Sequence, residues 1–226
     1  MGVEIALKTG EKRRKPTSQI ATGSSQMTDS GKTRKTGSNS GRMKEDRLGK
    51  EDWLDAGLAI LGQTGPGGLR IDQVCKAMKV TKGSFYWHFR DRQDFLDTLF
   101  AYWRGRETTS LIRHVEERYT QPEERIWHVA EFVTLGDYDI ASEVAMRQWS
   151  QSDDTVRAGL TEVDAERLEF FTRQFAATGF SPEEARMRAI SVYSVTLSCG
   201  YMFTGETPEA LKQRVRASLD LLLARP

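Results

Sequence analysis

Seven neighbouring residues in the first half of the chain carry groups that can recognise a nucleic acid. They are Thr81, Lys82, Gly83, Ser84, Tyr86, Trp87 and His88. Hydroxyl, ammonium and imidazole groups donate hydrogen bonds to phosphate oxygens and base edges, and aromatic rings pack on sugars or thymine methyl groups. Presented on one helix, these side chains suit the major groove of DNA. The same pattern also fits a small helical core that merely buries its aromatic residues.

The residues from Ile71 to Phe89 predict the two short helices that must position these groups. Thr81 is a candidate N-cap for the second helix. Phe85 and Phe89 are four residues apart, which predicts that both lie on the inner face of the helix. The side chains between them, from Tyr86 to His88, would then point away from that face. The first helix has apolar residues at helical spacing, at Ile71, Val74, Cys75 and Met78.

This part of the chain resembles the DNA-binding signature of the TetR family of bacterial transcriptional regulators. The similarity rests on the run VTKGSFYWHF that ends at Phe89 and on the RDR that follows it. It extends from Asp46 to Trp103, roughly a quarter of the chain. Two residues depart from the family pattern, because Lys79 stands where the turn usually has Gly and Cys75 stands where Ala is usual. A left-handed backbone at Lys79 would cost some strain, as it does for residues with a Cβ.

The resemblance implies an all-α protein with an N-terminal three-helix helix-turn-helix DNA-binding domain at residues 45–90. A C-terminal helical domain at residues 91–226 would bind a ligand and dimerise, and residues 91–105 would form the helix that links the two. The implied function is that of a homodimeric repressor that binds a palindromic double-stranded operator and is released by a small-molecule effector. We expect the seven residues named above to face the groove, with phosphate contacts from Arg47, Lys50 and Arg92.

Charge is distributed unevenly, although the whole chain has a formal net charge of only +1. Residues 1–45 hold 10 basic and 4 acidic side chains, whereas residues 107–226 hold 13 basic and 20 acidic ones. A basic front and an acidic rear fit a protein whose front meets a polyanion. Residues 1–44 are rich in Gly, Ser, Thr and Lys, which predicts a disordered basic tail. This tail is an arm that follows the DNA backbone or minor groove, or a solvated tail, or the result of a wrongly chosen start codon, since Met27 and Met43 offer later starts.

Helical patterns continue from Glu107 to the end of the chain, without a convincing strand. Ser181 and the residues after it form a capping box with proline at the first helical position, and Thr207, Pro208 and Glu209 start the last helix. The family resemblance implies that these last two helices form a four-helix bundle with a second subunit. The alternative is that they close the core of the monomer. A palindromic site favours the dimer.

The resemblance also implies that the middle helices enclose the effector. The candidate residues are aromatic, with one arginine as a partner for an anionic group: Trp127, Arg147, Trp149, Phe171, Tyr193 and Tyr201. Each of them could equally be part of the core. An apolar pocket with a few polar groups suits an aromatic or amphipathic effector. Its binding would favour a form whose recognition helices no longer match half-sites about 34–36 Å apart.

Enzymatic chemistry finds little support in the sequence, which contains no HExxH motif, cysteine cluster or glycine-rich phosphate loop. We therefore expect no catalytic residue, metal site or cofactor. An all-α enzyme and an architectural DNA-binding protein without an effector are the alternatives. Cys75 and Cys199 lie in different predicted domains, so we expect free thiols and a cytoplasmic location. No apolar run approaches the roughly 18 residues of a membrane-spanning helix.

Overall fold

The computed structural model describes residues 48–136, 138–203 and 205–225, without the side chains of residues 200 and 201. Arg47 and the predicted tail at residues 1–44 lie outside these ranges. Within them every regular element is a helix, so the predicted all-α class is confirmed. The front helices are α1 (Lys50–Thr64), α2 (Ile71–Met78) and α3 (Lys82–His88), with a 3-10 turn at Pro66–Gly68 between the first two.

Helices α1, α2 and α3 form what we call the front unit. The connecting helix that follows them is longer than the linking helix that the sequence predicts at residues 91–105. Helix α4 (Arg92–Arg104) leads into a π turn at Gly105–Thr109, and α5 (Ser110–Arg118) follows directly. Gly105 and Ser110 both have right-handed helical torsion angles, and the Ser110 N–H donates to the Gly105 carbonyl five residues back. One helix therefore runs from Arg92 to Arg118 with an i→i+5 turn in its middle.

The rear half adds the helices α6 (Pro122–Leu135), α7 (Ile140–Trp149), α8 (Asp154–Ala177), α9 (Pro182–Met202) and α10 (Pro208–Leu223). The predicted capping box before α9 is confirmed. The Glu184 N–H donates to the Ser181 hydroxyl, and the Ser181 N–H donates to the Glu184 carboxylate at 3.0 Å. In the part of the chain that the structure describes, no helix has the length and apolarity needed to cross a membrane.

Aromatic rings hold the front unit together. Phe85 of α3 and Phe89 at its end are buried, as the sequence predicts. Trp53 of α1 packs edge-on against Phe85 with ring centroids 5.6 Å apart, and Phe95 of α4 lies 4.9 Å from Phe89. Edge-to-face pairs of this kind add about 0.5–1.5 kcal/mol beyond their area burial. Helix α3 is thus fixed from behind by two neighbouring helices.

The turn between α2 and α3 contains a left-handed residue. Lys79 has φ 60° and ψ 42°, a conformation that costs a residue with a Cβ about 1–2 kcal/mol. Two hydrogen bonds define the turn: the Val80 N–H donates to the Cys75 carbonyl, and the Ser84 N–H donates to the Thr81 hydroxyl. Thr81 is therefore the N-cap of α3, as predicted.

The apolar core of the front unit continues into the rear half. Gly62 of α1 lies so close to α7 that a Cβ added there would be 3.1 Å from the Cβ of Ala141. Side chains of α7 and α8 join the cluster that contains Trp53 and Leu99: Ala145, Met146, Trp149, Val156, Leu160 and Val163. A second cluster, formed by α5, α6, α8, α9 and α10, packs the rest of the rear half.

A buried carboxylate joins the helices of the rear half. Glu143 of α7 is 0% exposed. Its Oε1 accepts from the Arg147 Nε at 2.7 Å, and its Oε2 accepts from the Arg167 Nη1 at 3.0 Å and from the Tyr138 hydroxyl at 2.5 Å. A buried charge is tolerated only when opposite charges and hydrogen-bond donors surround it. Here both conditions are met.

The buried guanidinium of Arg167 extends this network to two further elements. Its Nε donates to the Thr108 hydroxyl in the π turn at 2.8 Å, and its Nη1 lies 3.3 Å from the Tyr193 hydroxyl of α9. Its Nη2 donates to the Tyr138 hydroxyl at 3.1 Å. We call Glu143, Arg147, Arg167, Tyr138 and Tyr193 the buried polar cluster. It connects α7, α8, α9 and the π turn.

We predict that Glu143→Gln lowers the free energy of unfolding by about 3–5 kcal/mol, because Arg167 would stay buried without its carboxylate partner. Urea denaturation at pH 7 measures this loss. Glu162→Gln is the matched control, since the Glu162 carboxylate pairs with Arg104 at 2.8 Å in an exposed position. It should cost less than about 1 kcal/mol. Equal losses for the two variants would contradict the role of the buried pair.

Candidate nucleic-acid interface and effector cavity

The outer face of α3 presents two large aromatic side chains to solvent. Tyr86 is 56% exposed and Trp87 is 87% exposed, whereas the adjacent Phe85 is wholly buried. Gly83, one turn earlier, is exposed, and a Cβ added there would meet only the Thr81 hydroxyl oxygen, at 3.5 Å. An exposed aromatic pair on a rigidly held helix is unfavourable in water unless a partner covers it.

The first turn of α3 supplies the polar groups of the same face. The Lys82 ammonium lies 2.7 Å from the Asp72 carboxylate, and both side chains are mostly exposed. The hydrogen bond and the charge of Asp72 raise the pKa of Lys82, so this amine is protonated at neutral pH. Exposed ion pairs contribute little to stability, which leaves Lys82 able to exchange its partner for a phosphate. The hydroxyl oxygens of Thr81 and Ser84 lie 3.2 Å apart beside it.

His88 differs from the other predicted groove residues, because its ring turns toward the core. It is half-buried, with its ring centroid 5.8 Å from that of Trp53. Sequence reasoning did not assign a role to Arg90, which follows Phe89, the C-cap residue of α3. The Arg90 side chain is 85% exposed. Its position next to the recognition helix was the signal that could have identified it.

The predicted phosphate contacts lie at helix starts on either side of α3. Lys50 is the first residue of α1, and its Nζ lies 5.0 Å from the centroid of the Phe89 ring. Arg92 begins α4, and its Nη2 donates to the Leu69 carbonyl at 3.3 Å. Arg47, the third predicted contact, lies outside the described residues.

A small cavity of about 30 Å³ lies in the rear half, between the π turn, α5, α6, α8 and α9. Apolar side chains form most of its wall: Leu111, Ile112, Val129, Val133, Phe170, Phe171 and Leu197. Polar side chains complete the lining: Glu107, Thr108, Tyr138, Arg167, Tyr193 and Thr196. The cavity can hold a water molecule but is far smaller than the roughly 300–1,000 Å³ of a ligand pocket. An effector could enter only if lining side chains moved.

The polar end of the cavity is built from the buried polar cluster. The Tyr193 hydroxyl donates to Asp164 at 2.6 Å and accepts from the Arg147 Nη2 at 3.0 Å. Burial raises the pKa of Tyr193 to about 12, against the opposing charge of Arg167, so the phenol stays neutral. Burial likewise raises the pKa of Glu107 above its usual value, although the neighbouring Arg106 opposes the shift.

Two of the six predicted effector residues line this cavity, namely Phe171 and Tyr193. Arg147 is one hydrogen bond away, through the Tyr193 hydroxyl. Trp149 belongs to the core shared with the front unit. Trp127 lies in an outer groove on α6 that also includes Lys212 and Arg216 of α10. The side chain of Tyr201 lies outside the described residues.

The cavity also contains polar residues that sequence reasoning did not single out. Glu107 and Thr108 are buried because the π turn directs them inward, and no sequence pattern indicated that turn. Arg167 lies on the buried apolar face of α8, four residues after Val163 and three before Phe170, where a charged side chain is unusual. That placement was a usable signal for a buried, paired guanidinium.

Comparison with known proteins finds matches to bacterial regulatory proteins. The family model described as bacterial regulatory proteins, tetR family, matches residues 54–99. The chain is 29% identical over 154 residues to the tetracycline repressor protein class G of Vibrio anguillarum, which covers 66% of this chain and 67% of that protein. A shorter stretch of 47 residues is 34% identical to the HTH-type transcriptional regulator AcrR of Shigella flexneri, covering 21% of this chain and 22% of that one.

Solved structures share the fold. A transcriptional regulator from Rhodococcus sp. Rha1 matches with a TM-score of 0.64 at 14% identity, over 79% of this chain and 100% of that one. FadR from Bacillus subtilis in complex with stearoyl-CoA matches with a TM-score of 0.59 at 18% identity, over 78% of this chain and 98% of the FadR chain. AibR in complex with isovaleryl coenzyme A and operator DNA matches with a TM-score of 0.59 at 14% identity. The match covers 77% of this chain and 97% of the AibR chain.

The helix-turn-helix geometry of the front unit agrees with the sequence matches to this family. Residues 54–99 match the tetR family of bacterial regulatory proteins, and the chain as a whole is similar to a tetracycline repressor protein and shares the fold of solved transcriptional regulators.

Proposed function

We propose that this TetR-family transcriptional regulator is a homodimeric repressor that binds a palindromic operator through α3 and is released by a small-molecule effector. The observation that carries the proposal is the outward face of α3, where Tyr86 and Trp87 are exposed while Phe85 holds the helix from behind. A partner that covers this face must accept hydrogen bonds and stack against rings. The major groove of DNA, with its phosphate walls, meets both requirements.

The basic groups around α3 support the same partner. Lys82 stands at its first turn, Arg90 follows its end, and Lys50 and Arg92 stand at the starts of the flanking helices. Positive charges at these points would contact phosphates on both sides of the groove and fix the orientation of the helix. His88 is half-buried, so we propose that it supports the helix from the side of Trp53 rather than reading bases.

The exposed side of α9 supports a dimer. Met187, Ile190 and Met202 are large apolar side chains that are exposed on this helix, and Ser194 between them is small and exposed. They recur at helical spacing, which forms a stripe that another helix can cover. A two-fold pairing through α9 and α10 would give two copies of α3, as a palindromic site requires.

The rear cavity supports an effector with an apolar body and a polar group. Its wall is mostly apolar, and the hydroxyl and guanidinium groups of the buried polar cluster lie at one end. Solved relatives bind molecules of this type, since FadR was crystallised with stearoyl-CoA and AibR with isovaleryl coenzyme A. We propose an amphipathic effector with an acyl chain. A cavity with buried polar groups argues against a purely architectural DNA-binding protein, and we propose no enzymatic role.

We predict that Lys82→Ala and Tyr86→Ala each weaken binding to a cognate duplex by about 1–3 kcal/mol, because each removes a groove or phosphate contact. The duplex is first selected from a random-sequence pool with the unmodified protein. Filter binding at fixed salt then measures the affinity. Arg173→Ala on α8 is the control that leaves it unchanged, because the exposed Arg173 side chain pairs with Glu116 away from α3. Unaltered affinity in both α3 variants would exclude these roles.

A charge placed on the stripe of α9 should separate the subunits. We expect Ile190→Glu to convert the protein to a monomer in light scattering, because the carboxylate would be buried in the interface. The same variant should bind the selected duplex at least 100-fold more weakly, since one copy reaches one half-site. Val144→Glu is the control, because Val144 is an exposed apolar residue on α7 outside the stripe. A dimeric Ile190→Glu protein would contradict this interface.

An acyl-CoA should stabilise the protein and release the DNA. We expect stearoyl-CoA or isovaleryl-CoA to raise the melting temperature, with a gain of about 2.7 kcal/mol at a ligand concentration 100 times its Kd. The same ligand should dissociate the selected duplex, and coenzyme A without an acyl chain should do neither. If both acyl-CoAs leave melting and DNA binding unchanged, the proposed effector class is wrong.

A further inference from the structure

We propose that the π turn at Gly105–Thr109 is the joint through which the rear cavity acts on the DNA-binding unit, with Arg106 as the residue that transmits the change. This inference rests on the proposed function, because it explains how an occupied cavity would weaken DNA binding. Regulation would then depend on Arg106, Glu107 and Thr108, three adjacent residues of one helix, rather than on a general movement of the rear half.

Arg106 faces the DNA-binding unit. Its Nη1 donates to the Asp55 carboxylate of α1 at 3.0 Å, and its Nη2 lies 3.7 Å from the Asp139 carboxylate before α7. The Tyr102 hydroxyl, one turn earlier in the connecting helix, donates to the same Asp55 oxygen at 2.9 Å. Two residues of the connecting helix, Arg106 and Tyr102, thus hold one carboxylate of α1.

The next two residues of the turn face the opposite way, into the cavity. Glu107 and Thr108 are both buried and both belong to the cavity wall. The Glu107 Oε1 accepts from the Arg106 Nε at 2.6 Å, and the Thr108 hydroxyl accepts from the Arg167 Nε at 2.8 Å. Glu107 thus belongs to the cavity wall and also holds Arg106. Displacing its carboxylate would remove one of the three carboxylates that hold the guanidinium.

The connecting helix is held on both sides of this turn. Arg104, just before it, contacts Glu162 at 2.8 Å and Glu166 at 3.2 Å, both on α8. Thr109, at its last position, donates to the same Glu166 carboxylate at 3.0 Å. We therefore expect movement to be confined to the residues between Arg104 and Thr109, which both contact α8. A π turn suits such a role, because its i→i+5 hydrogen bonds interrupt the regular ladder and such turns recur at functional sites.

The sequence of events follows from these contacts. The cavity of about 30 Å³ must expand to admit an effector, and Glu107 is the wall residue that is bonded to Arg106. When the ligand displaces the Glu107 carboxylate, Arg106 loses one partner and redistributes between Asp55 and Asp139. Helix α1 then changes its position relative to α7, and the state that fits the operator becomes less populated.

The test uses the full-length protein and the duplex selected from a random-sequence pool, with no effector present. Glu107→Gln keeps the shape of the side chain but removes the charge that holds Arg106, so it should mimic the occupied cavity. We expect it to raise the Kd for the duplex at least fivefold. Arg106→Ala should raise the Kd as well, and adding Glu107→Gln to Arg106→Ala should change the Kd by less than twofold. This non-additivity is the readout that a general loss of stability would not produce.

Thr196→Val is the matched control, because Thr196 lines the same cavity but has its hydroxyl bonded within α9. It should leave the Kd within twofold. Thermal melting verifies that each variant is folded. If Arg106→Ala does not fold, Asp55→Asn replaces it in the double-mutant cycle, since the Asp55 side chain is largely exposed.

The outcomes separate the two proposals. If the unmodified protein enriches no duplex, the proposed function itself is wrong. If it binds a duplex but Glu107→Gln leaves the Kd within twofold, the role of the π turn is overturned. It is also overturned if Glu107→Gln has the same effect with and without Arg106, because the change then does not pass through that residue.

Discussion

The burial of one carboxylate constrains much of the rear half. Glu143 has no contact with water, so its charge is stable only while Arg147, Arg167 and Tyr138 all donate to it. These donors come from α7, from α8 and from the segment before α7. Arg167 must in turn satisfy its remaining N–H groups, and it does so on the π turn and on α9. Five elements are therefore held in one arrangement by the need to compensate buried charge.

This arrangement also explains the composition of the cavity. The buried polar cluster forms one end of it, and the apolar faces of α5, α6, α8 and α9 form the remainder. A ligand that enters must separate apolar surfaces while it keeps or replaces the hydrogen bonds of Arg167. The cavity is next to the connecting helix, and that helix continues without a break from Arg92 to Arg118. A change at the cavity wall is consequently a change in the element that carries the DNA-binding unit.

Apolar packing, rather than compensation of buried charge, holds the front unit in place. Trp53 and Phe95 close on Phe85 and Phe89 from two sides, so α3 has a fixed orientation and its outer aromatic residues stay exposed. The same core includes residues of α7 and α8. The two halves therefore share both an apolar contact and the polar contact at Asp55, and neither half can rotate freely against the other.

The sequence by itself determined the features that depend on near neighbours in the chain. Helix starts at Pro182 and Pro208, the N-cap at Thr81 and the inward pair that includes Phe85 follow from spacings of a few residues, because capping and helical periodicity are local. The α3 surface was predictable for that reason. Only the tertiary structure decided which residues line the cavity, since Glu107 and its neighbours are directed by a π turn and by charges up to 60 residues away. Partner choice among buried charges depends on three-dimensional proximity, and no local pattern in the chain encodes it.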